Sequence, residues 1–228
     1  MLYTEQMVRD NIRNRQGKRI FYLASGDQLT SGARDYLSRQ RVEILPANQA
    51  AKDRWQLLSG GFVEEKTEDL THLNGDFLVS KTHPRILFRG KMDVFQADLI
   101  LCCLYCPEQR EKLQEVLNLS RSLLAAEVLE KPVEETSLCG LTQEQIRKIS
   151  HFPQNTYGIP HFMPGPEDGP AMAWLNKARC SARQAELAAV RAFRDREGRV
   201  TRQDLLQAMN RLSSMLYILM IERKAGKL

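Results

Sequence analysis

The sequence predicts a mainly α-helical protein, in which a bundle of about five helices follows a small α/β region at the N-terminus. From Pro84 onward, apolar residues recur at the three- and four-residue spacing of amphipathic helices. Before that point, short runs rich in aromatic and β-branched residues alternate with helical segments. The segment 152–170 contains five prolines and three glycines and is therefore predicted to be a loop.

The N-terminal region, residues 1–68, is expected to have its regular elements within the first 46 residues. They are, in order, a helix over Glu5–Asn14, a strand over Arg19–Ala24, a helix over Ala33–Gln40 and a strand over Val42–Leu45. Thr30 or Ser31 can cap the second helix, because a hydroxyl oxygen accepts a hydrogen bond from a free N–H group of the first turn. No regular element is predicted for 47–80, which is mixed and polar.

The helical region, residues 69–228, carries recognisable helix signals. Helices are expected over Arg85–Tyr105 and Glu108–Glu130, from the cap Thr142 to His151, and over Ala171–Arg196 and Thr201–Arg223. Pro107 precedes the second helix, a position that proline favours. Gln145 stands three residues after Thr142, as in a capping box, and Gly198 marks the turn between the last two helices.

Composition predicts a soluble globular protein, since 43% of the residues are hydrophobic and 27% are charged. The longest apolar runs are too short to span a bilayer, and charged residues occupy the place of a signal peptide's apolar core. We therefore expect a cytoplasmic protein without a membrane partner. The net charge of +5 fits a polyanionic ligand, but no basic run with interleaved aromatic residues predicts nucleic-acid binding.

The five cysteines are unevenly spaced, so no disulfide framework is expected in a reducing compartment. Three of them form the cluster Cys102, Cys103 and Cys106. On a helix, Cys102 and Cys106 share a face while Cys103 points about 100° away, so these thiolates cannot easily close a tetrahedral zinc shell. Packing in the core is the preferred interpretation, and no structural metal is predicted.

Two polar stripes on the last two predicted helices form the candidate site. Arg179, Arg183 and Glu186 are spaced so that they project from one helix face. The second stripe, Asn210 with Ser213 or Ser214 and Tyr217, runs along an apolar helix. Asn210 interrupts that helix, where an amide buried without a partner would be costly. Because the planar arginine fork suits phosphate, the stripes predict a phosphate-bearing ligand; an ordinary surface ion pair and a structural hydrogen bond are the alternatives.

Six segments, spread in order along most of the chain, resemble the cobalamin adenosyltransferases, specifically their ethanolamine-utilization type. The matching segments are, in order, Leu29-Thr-Ser-Gly-Ala-Arg34, Leu70-Thr-His-Leu73, Leu78-Val-Ser-Lys81, Pro84-Arg-Ile-Leu-Phe-Arg-Gly-Lys-Met-Asp93, Arg179-x3-Arg183-x-Ala185-Glu186 and Leu205-Leu-Gln-Ala-Met-Asn-Arg-Leu-Ser-Ser214. The resemblance implies the helical bundle of that family and a homotrimer with active sites between subunits.

The same resemblance implies roles for individual residues. Asp93 would pair with Arg179 of another subunit, and both would belong to the catalytic machinery with Arg183 and Glu186. The residues implied to address ATP and its Mg²⁺ are Lys81, Thr71, Arg183, Glu186 and Asn210. In the loop before Pro164-Gly165, Phe162 or His161 would contact cobalamin, and Phe162 is preferred because an apolar ring excludes water and cannot ligate cobalt.

The activity implied is transfer of the 5′-deoxyadenosyl group of ATP to Co(I) of cobalamin, for ethanolamine breakdown. Implied partners are a reductase and an adenosylcobalamin-dependent lyase. The N-terminal region would dock to a partner or a bacterial microcompartment, or stabilise the trimer.

Departures from the related propanediol-utilization type motivate an alternative function. Gln184 stands where that type often has an arginine, and Ser214 replaces an aspartate. The alternative is a non-catalytic corrinoid- or nucleotide-binding protein with the same fold. Some ethanolamine-type enzymes bind a metal through a histidine and cysteines near the N-terminus, but residues 1–70 contain neither residue type.

Overall fold

A computed structural model describes residues 1–15, 17–50, 55–63, 65–75, 77–135 and 137–227. The chain divides into two compact units, Met1–Lys81 and Thr82–Leu228. The mainly helical class with a small N-terminal sheet region is confirmed. The change of unit comes after Lys81, whereas the sequence predicts a boundary after residue 68.

The first unit consists of short elements. They are β1 (Leu2–Tyr3), α1 (Glu5–Asn11), β2 (Arg13–Arg15), β3 (Lys18–Leu23), β4 (Gln28–Leu29), α2 (Ser31–Arg39), β5 (Glu43–Pro46), α3 (Ala47–Ala50), β6 (Trp55–Leu57), β7 (Phe62–Val63), β8 (Leu70–Asn74) and β9 (Phe77–Ser80). The strands form the sheets β1-β4, β2-β3-β5 and β7-β6-β9-β8. Thr30, rather than Ser31, caps α2, its hydroxyl accepting a hydrogen bond from Ala33 N at 3.2 Å.

Two predictions for this unit are wrong. The first helix ends at Asn11 instead of Asn14, because residues 13–15 pair with β3. The segment 47–80 was predicted to lack regular structure, but it contains α3 and the four-stranded sheet. Strands of two to five residues are too short to show an alternating pattern. The hairpins β6-β7 and β8-β9 are joined into one sheet by the pairing of β6 with β9, which is distant in the chain.

The second unit is helical. Its helices are α4 (Pro84–Tyr105), α5 (Arg110–Val128), α6 (Gln143–His151), α7 (Pro153–Tyr157), α8 (Gly169–Ala192) and α9 (Gln203–Lys224). The predicted loop 152–170 is therefore partly wrong, since α7 lies within it and a 3₁₀ turn covers Pro166–Asp168. Both begin with a proline, whose fixed φ suits a first helical position.

Helix α8 lies at the centre of this unit, packed against both α4 and α9. Its inward face consists of small residues that are fully buried: Ala178, Ala182, Ala185 and Ala189. Small side chains let neighbouring helices approach closely, so α8 can contact two helices and still turn its polar stripe outward.

The cysteine cluster of α4 faces the core, as predicted. Cys102 and Cys106 are fully buried, while Cys103 is half-buried. Burial raises the pKa of the Cys106 thiol to about 11, so it is protonated near neutral pH. Within the described residues, no group of three or more His, Cys, Asp or Glu side chains is placed to hold a metal. No helix in that part of the chain has the length and apolar character needed to span a bilayer.

Candidate functional site

A polar cleft of about 270 Å³ lies between α6, α8 and α9. Its walls are formed by Ser150 and His151 of α6, Arg179 and Arg183 of α8, and Asn210, Ser213, Ser214 and Tyr217 of α9. The two stripes predicted from the sequence therefore meet on one surface. The turn between α8 and α9, in which Gly198 has φ 85°, brings them together although they are far apart in the chain.

Asn210 and Glu186 connect α9 to α8. The Asn210 amide nitrogen donates to Glu186 Oε1 at 3.1 Å, and Arg211 donates to Asn210 Oδ1 at 2.6 Å. The Asn210 side chain is exposed, which corrects the expectation that its amide is buried. The helix face that carries Asn210 opens into the cleft, so a polar residue there costs little.

Arg211 is held in a partly buried position behind Asn210. Burial and the positive charge of Arg147 lower its guanidinium pKa. Its Nε atom is buried without a hydrogen-bond partner in the part of the chain that the structure describes. The hydrogen bond from Arg211 Nη1 and the one to Glu186 keep the Asn210 amide in one orientation, with its oxygen toward Arg211 and its nitrogen toward Glu186.

The two cleft arginines differ in their partners. Arg179 donates through Nε and Nη2 to Asn176 Oδ1, at 3.2 and 2.9 Å. Arg183 is exposed and makes no hydrogen bond or ion pair with the described residues. Its donors are therefore available to a ligand.

Asp93 lies on the exposed face of α4 and has neither a hydrogen bond nor an ion pair among the residues described. The implied pair between Asp93 and Arg179 is not formed within one chain. Pairing between subunits stays a prediction.

The loop after α7 brings His161 and Phe162 to the cleft. His161 Nδ1 lies 2.9 Å from the Tyr217 hydroxyl, and its Nε2 lies 3.1 Å from the carbonyl oxygen of His151. The ring of Phe162 is half-buried, with its centroid 6.1 Å from that of Tyr217. Both candidates for contact with cobalamin thus lie against the same wall residue.

Lys81 and Thr71 belong to the first unit. Lys81 follows β9, and its ammonium lies 3.8 Å from Glu68 Oε2. Thr71 lies in β8 opposite Val79. Their contact with ATP stays a prediction.

The α6 contribution to the cleft was missed by sequence reasoning. Ser150 and His151 end a short amphipathic helix whose buried side includes Ile146. The capping box formed by Thr142 and Gln145 predicts where this helix starts, but nothing in the sequence indicates that its end packs beside α9.

A sequence model of the cobalamin adenosyltransferases matches residues 63–223, which is most of the chain. The chain belongs to the cobalamin adenosyltransferase family. The resemblance predicted from the sequence is thereby confirmed, including its ethanolamine-utilization type, because curated relatives of that type are similar.

These relatives are the corrinoid adenosyltransferases EutT of Salmonella typhimurium and of Escherichia coli K12. Each is 32% identical to the chain over 160 residues, which cover 70% of the chain and 60% of the relative. The chain thus spans about 60% of the length of the relatives it matches. No solved structure shows significant similarity to it.

Proposed function

We propose that this member of the family transfers the 5′-deoxyadenosyl group of ATP to Co(I) of cobalamin, as part of ethanolamine breakdown. The observation that carries the proposal is the polar cleft, in which Arg183, unpaired among the described residues, lies beside Asn210 and Arg179. A planar guanidinium that never loses its charge suits the phosphates of a nucleotide.

In the reaction, Co(I) supplies the electron pair that forms the cobalt–carbon bond to the 5′ carbon of ATP. The bond from that carbon to oxygen breaks, and the phosphate chain leaves with the released negative charge. Arg183 stabilises this charge at the cleft wall, and positioning of the two substrates in line supplies the rest of the acceleration. Lys81 and Thr71 complete the ATP contacts in this proposal.

Glu186 is the residue that would hold Mg²⁺. Within the part of the chain that the structure describes, its half-buried carboxylate accepts one hydrogen bond, from Asn210 to Oε1, so its other oxygen can take a cation. Mg²⁺ is commonly held by one or two carboxylates together with substrate phosphates, and this donor set fits that pattern. When bound, the ion would neutralise part of the phosphate charge.

A homotrimer is part of the proposal because one chain offers an incomplete site. Pockets for small molecules usually have about 300–1,000 Å³, and this cleft is smaller although it must take ATP and meet a corrinoid. Helix α4 also exposes Leu87, Val94 and Leu104, with 54%, 46% and 62% of their surface accessible. Their spacing of seven and ten residues makes an apolar stripe that suits burial against another helix.

In the assembly, Asp93 beside this stripe would pair with Arg179 of the partner subunit. Helices α4, α5, α6, α8 and α9 would form the five-helix bundle of the family. Phe162 would displace the lower axial ligand of cobalamin, which eases reduction of Co(II). We also propose that the protein is cytoplasmic and associates with a bacterial microcompartment. A reductase would supply its electrons, and an adenosylcobalamin-dependent lyase would use its product.

The direct test incubates the protein with ATP, Mg²⁺ and chemically reduced cobalamin, and follows the cobalt–carbon bond by visible absorption. Arg183→Ala should lower kcat/KM for ATP about 100-fold, the loss typical of removing one donor to developing charge. Arg191→Ala is the matched control, an exposed arginine two turns further along α8, and it should retain activity.

Binding of ATP or cobalamin without product would favour the non-catalytic alternative. If the protein neither binds ATP or cobalamin nor makes product, both functions are contradicted. Equal losses of kcat/KM in the Arg183 and Arg191 variants would contradict only the role given to Arg183, not the proposed activity.

A further inference from the structure

Both ring nitrogens of His161 are engaged by the protein. Nε2 faces the carbonyl oxygen of His151 at 3.1 Å, and a carbonyl can only accept a hydrogen bond. Nε2 must therefore carry a proton. In the neutral imidazole Nδ1 is then the acceptor, and the Tyr217 hydroxyl donates to it at 2.9 Å.

The rings of His161 and Tyr217 are also stacked. Their centroids are 5.8 Å apart and their planes differ by 9°. This geometry, together with the two hydrogen bonds, ties the loop to the end of α6 and to the middle of α9. His161 is thus held through both ring nitrogens, by Tyr217 and by His151, although the residue is exposed.

Phe162 is held by the same face of α9. Its ring lies against Tyr217 on one side, while Lys224 Nζ lies 5.6 Å from the ring centroid. Tyr217 and Lys224 are seven residues apart, so they project from one side of the helix. Lys224 also pairs with Asp168, which accepts a hydrogen bond from Gly165 N at 2.9 Å.

We propose that His161 is a positioning residue that fastens this loop and holds Phe162 beside the cleft, and that it is not a cobalt ligand. The proposal rests on the proposed function, because Phe162 matters for Co(II) only in an adenosyltransferase. The single lone pair of the neutral imidazole is on Nδ1, where Tyr217 already uses it. Ligation of cobalt would require that hydrogen bond to break.

The tautomer can be tested independently of any activity. Nitrogen-detected NMR of the labelled 228-residue chain, assigned with His161→Asn, should show a protonated Nε2 and an unprotonated Nδ1. A proton on Nδ1 with a bare Nε2, or rapid exchange of the two forms, would overturn the bridge between Tyr217 and His151.

Cobalt ligation can be tested by electron paramagnetic resonance. Cob(II)inamide has no base of its own to serve as lower ligand, so nitrogen superhyperfine splitting in its complex with protein and ATP would have to come from the protein. We expect no such splitting in the wild type or in His161→Ala. Splitting that is present in the wild type and absent from His161→Ala would show that His161 is a ligand.

The kinetic test compares two starting states of cobalamin. With Co(II) and a reduced flavin as the one-electron donor, His161→Ala should be about tenfold slower, the factor for loss of one or two hydrogen bonds. With Co(I) prepared in advance, its rate should fall less than about twofold. Met163→Ala, in the same loop with a side chain 91% exposed, is the matched control and should behave as wild type.

A double-mutant cycle identifies the bond involved. Tyr217→Phe keeps the stacked ring but removes the hydroxyl, so it should slow the Co(II) reaction and add little to His161→Ala. Additive effects, or equal losses from Co(II) and Co(I), would overturn the positioning role. If the wild type makes no product from Co(I), the proposed function fails, whereas the NMR result still decides the bridge.

Discussion

Replacing Glu127 should strongly destabilise the helical unit. The Glu127 side chain, near the end of α5, is fully buried and accepts hydrogen bonds from two residues of α4. Arg85 Nε lies 2.5 Å from one carboxylate oxygen, and Arg89 Nε lies 2.6 Å from the other. The two arginine side chains are only 15% and 18% exposed, so water can solvate their positive charges only in part.

Glu127→Gln keeps the shape of the side chain but leaves the largely buried Arg89 guanidinium without its counter-ion and Arg85 with only the exposed Glu130. Breaking a buried ion pair in this way costs about 3–5 kcal/mol, and we expect about 3 kcal/mol because the amide oxygen still accepts one bond. Glu130→Gln is the control. Glu130 pairs with the same Arg85 at 2.8 Å, but its side chain is 53% exposed, so its loss should cost less than about 1 kcal/mol.

The free energies of unfolding can be compared by urea titration of the two variants and the wild type. In thermal unfolding, Glu127→Gln should lower Tm by about 6–12 °C for a unit of this size. Equal stabilities of the two variants, or a Glu127→Gln protein as stable as the wild type, would refute the reasoning that burial gives this charge its importance.

Three further outcomes are expected. Hydrogen bonds from Arg202 lower the pKa of Asp204 to about 2, so its contribution is full above its ordinary pKa of 3.8 and disappears as pH falls through about 2. Asp204→Asn should therefore cost about 1 kcal/mol in urea titrations at pH 7, after allowance for its 28% exposure, and the difference should vanish in acid. Leu104→Glu, which puts a charge in the exposed α4 stripe, should yield monomers in analytical ultracentrifugation, and an unchanged assembly would exclude the stripe as the interface. Arg211→Ala should raise KM for ATP about tenfold by freeing the Asn210 amide, whereas wild-type kinetics would show that this orientation is unimportant.

The helices could be predicted because their signals are local. The apolar spacing after Pro84 predicts the start of α4 to within one residue, and it predicts the last residue of α4 correctly. The capping box of Thr142 and Gln145 likewise identifies the start of α6. In each case the contacts that determine the helix join residues only a few positions apart, so the helix can be predicted from the local sequence pattern.

The sheet of β6 to β9 could not be predicted for the opposite reason. Its two hairpins, β6-β7 and β8-β9, are joined by the pairing of Gln56 with Phe77, which lie about twenty residues apart in the chain. The expectation that the Asn210 amide is buried was wrong for a related reason. The apolar residues around it are buried against α8 and α6, but the one face between those helices opens into the cleft, and only the packing shows this.

Arg179 was expected to hold Asp93, and the structure instead shows it lining the cleft and bound to Asn176. These observations are compatible, because a guanidinium has five N–H donors in a planar fork. Asn176 uses the Nε hydrogen and one Nη2 hydrogen, and Nη2 also makes a weak contact with the Cys180 sulfur at 3.9 Å, so Nη1 and this weakly held Nη2 hydrogen remain on the outer edge. That edge is the one that binds a carboxylate through two parallel bonds. Asn176 therefore fixes the plane of Arg179 without consuming the donors that Asp93 of a partner subunit would need.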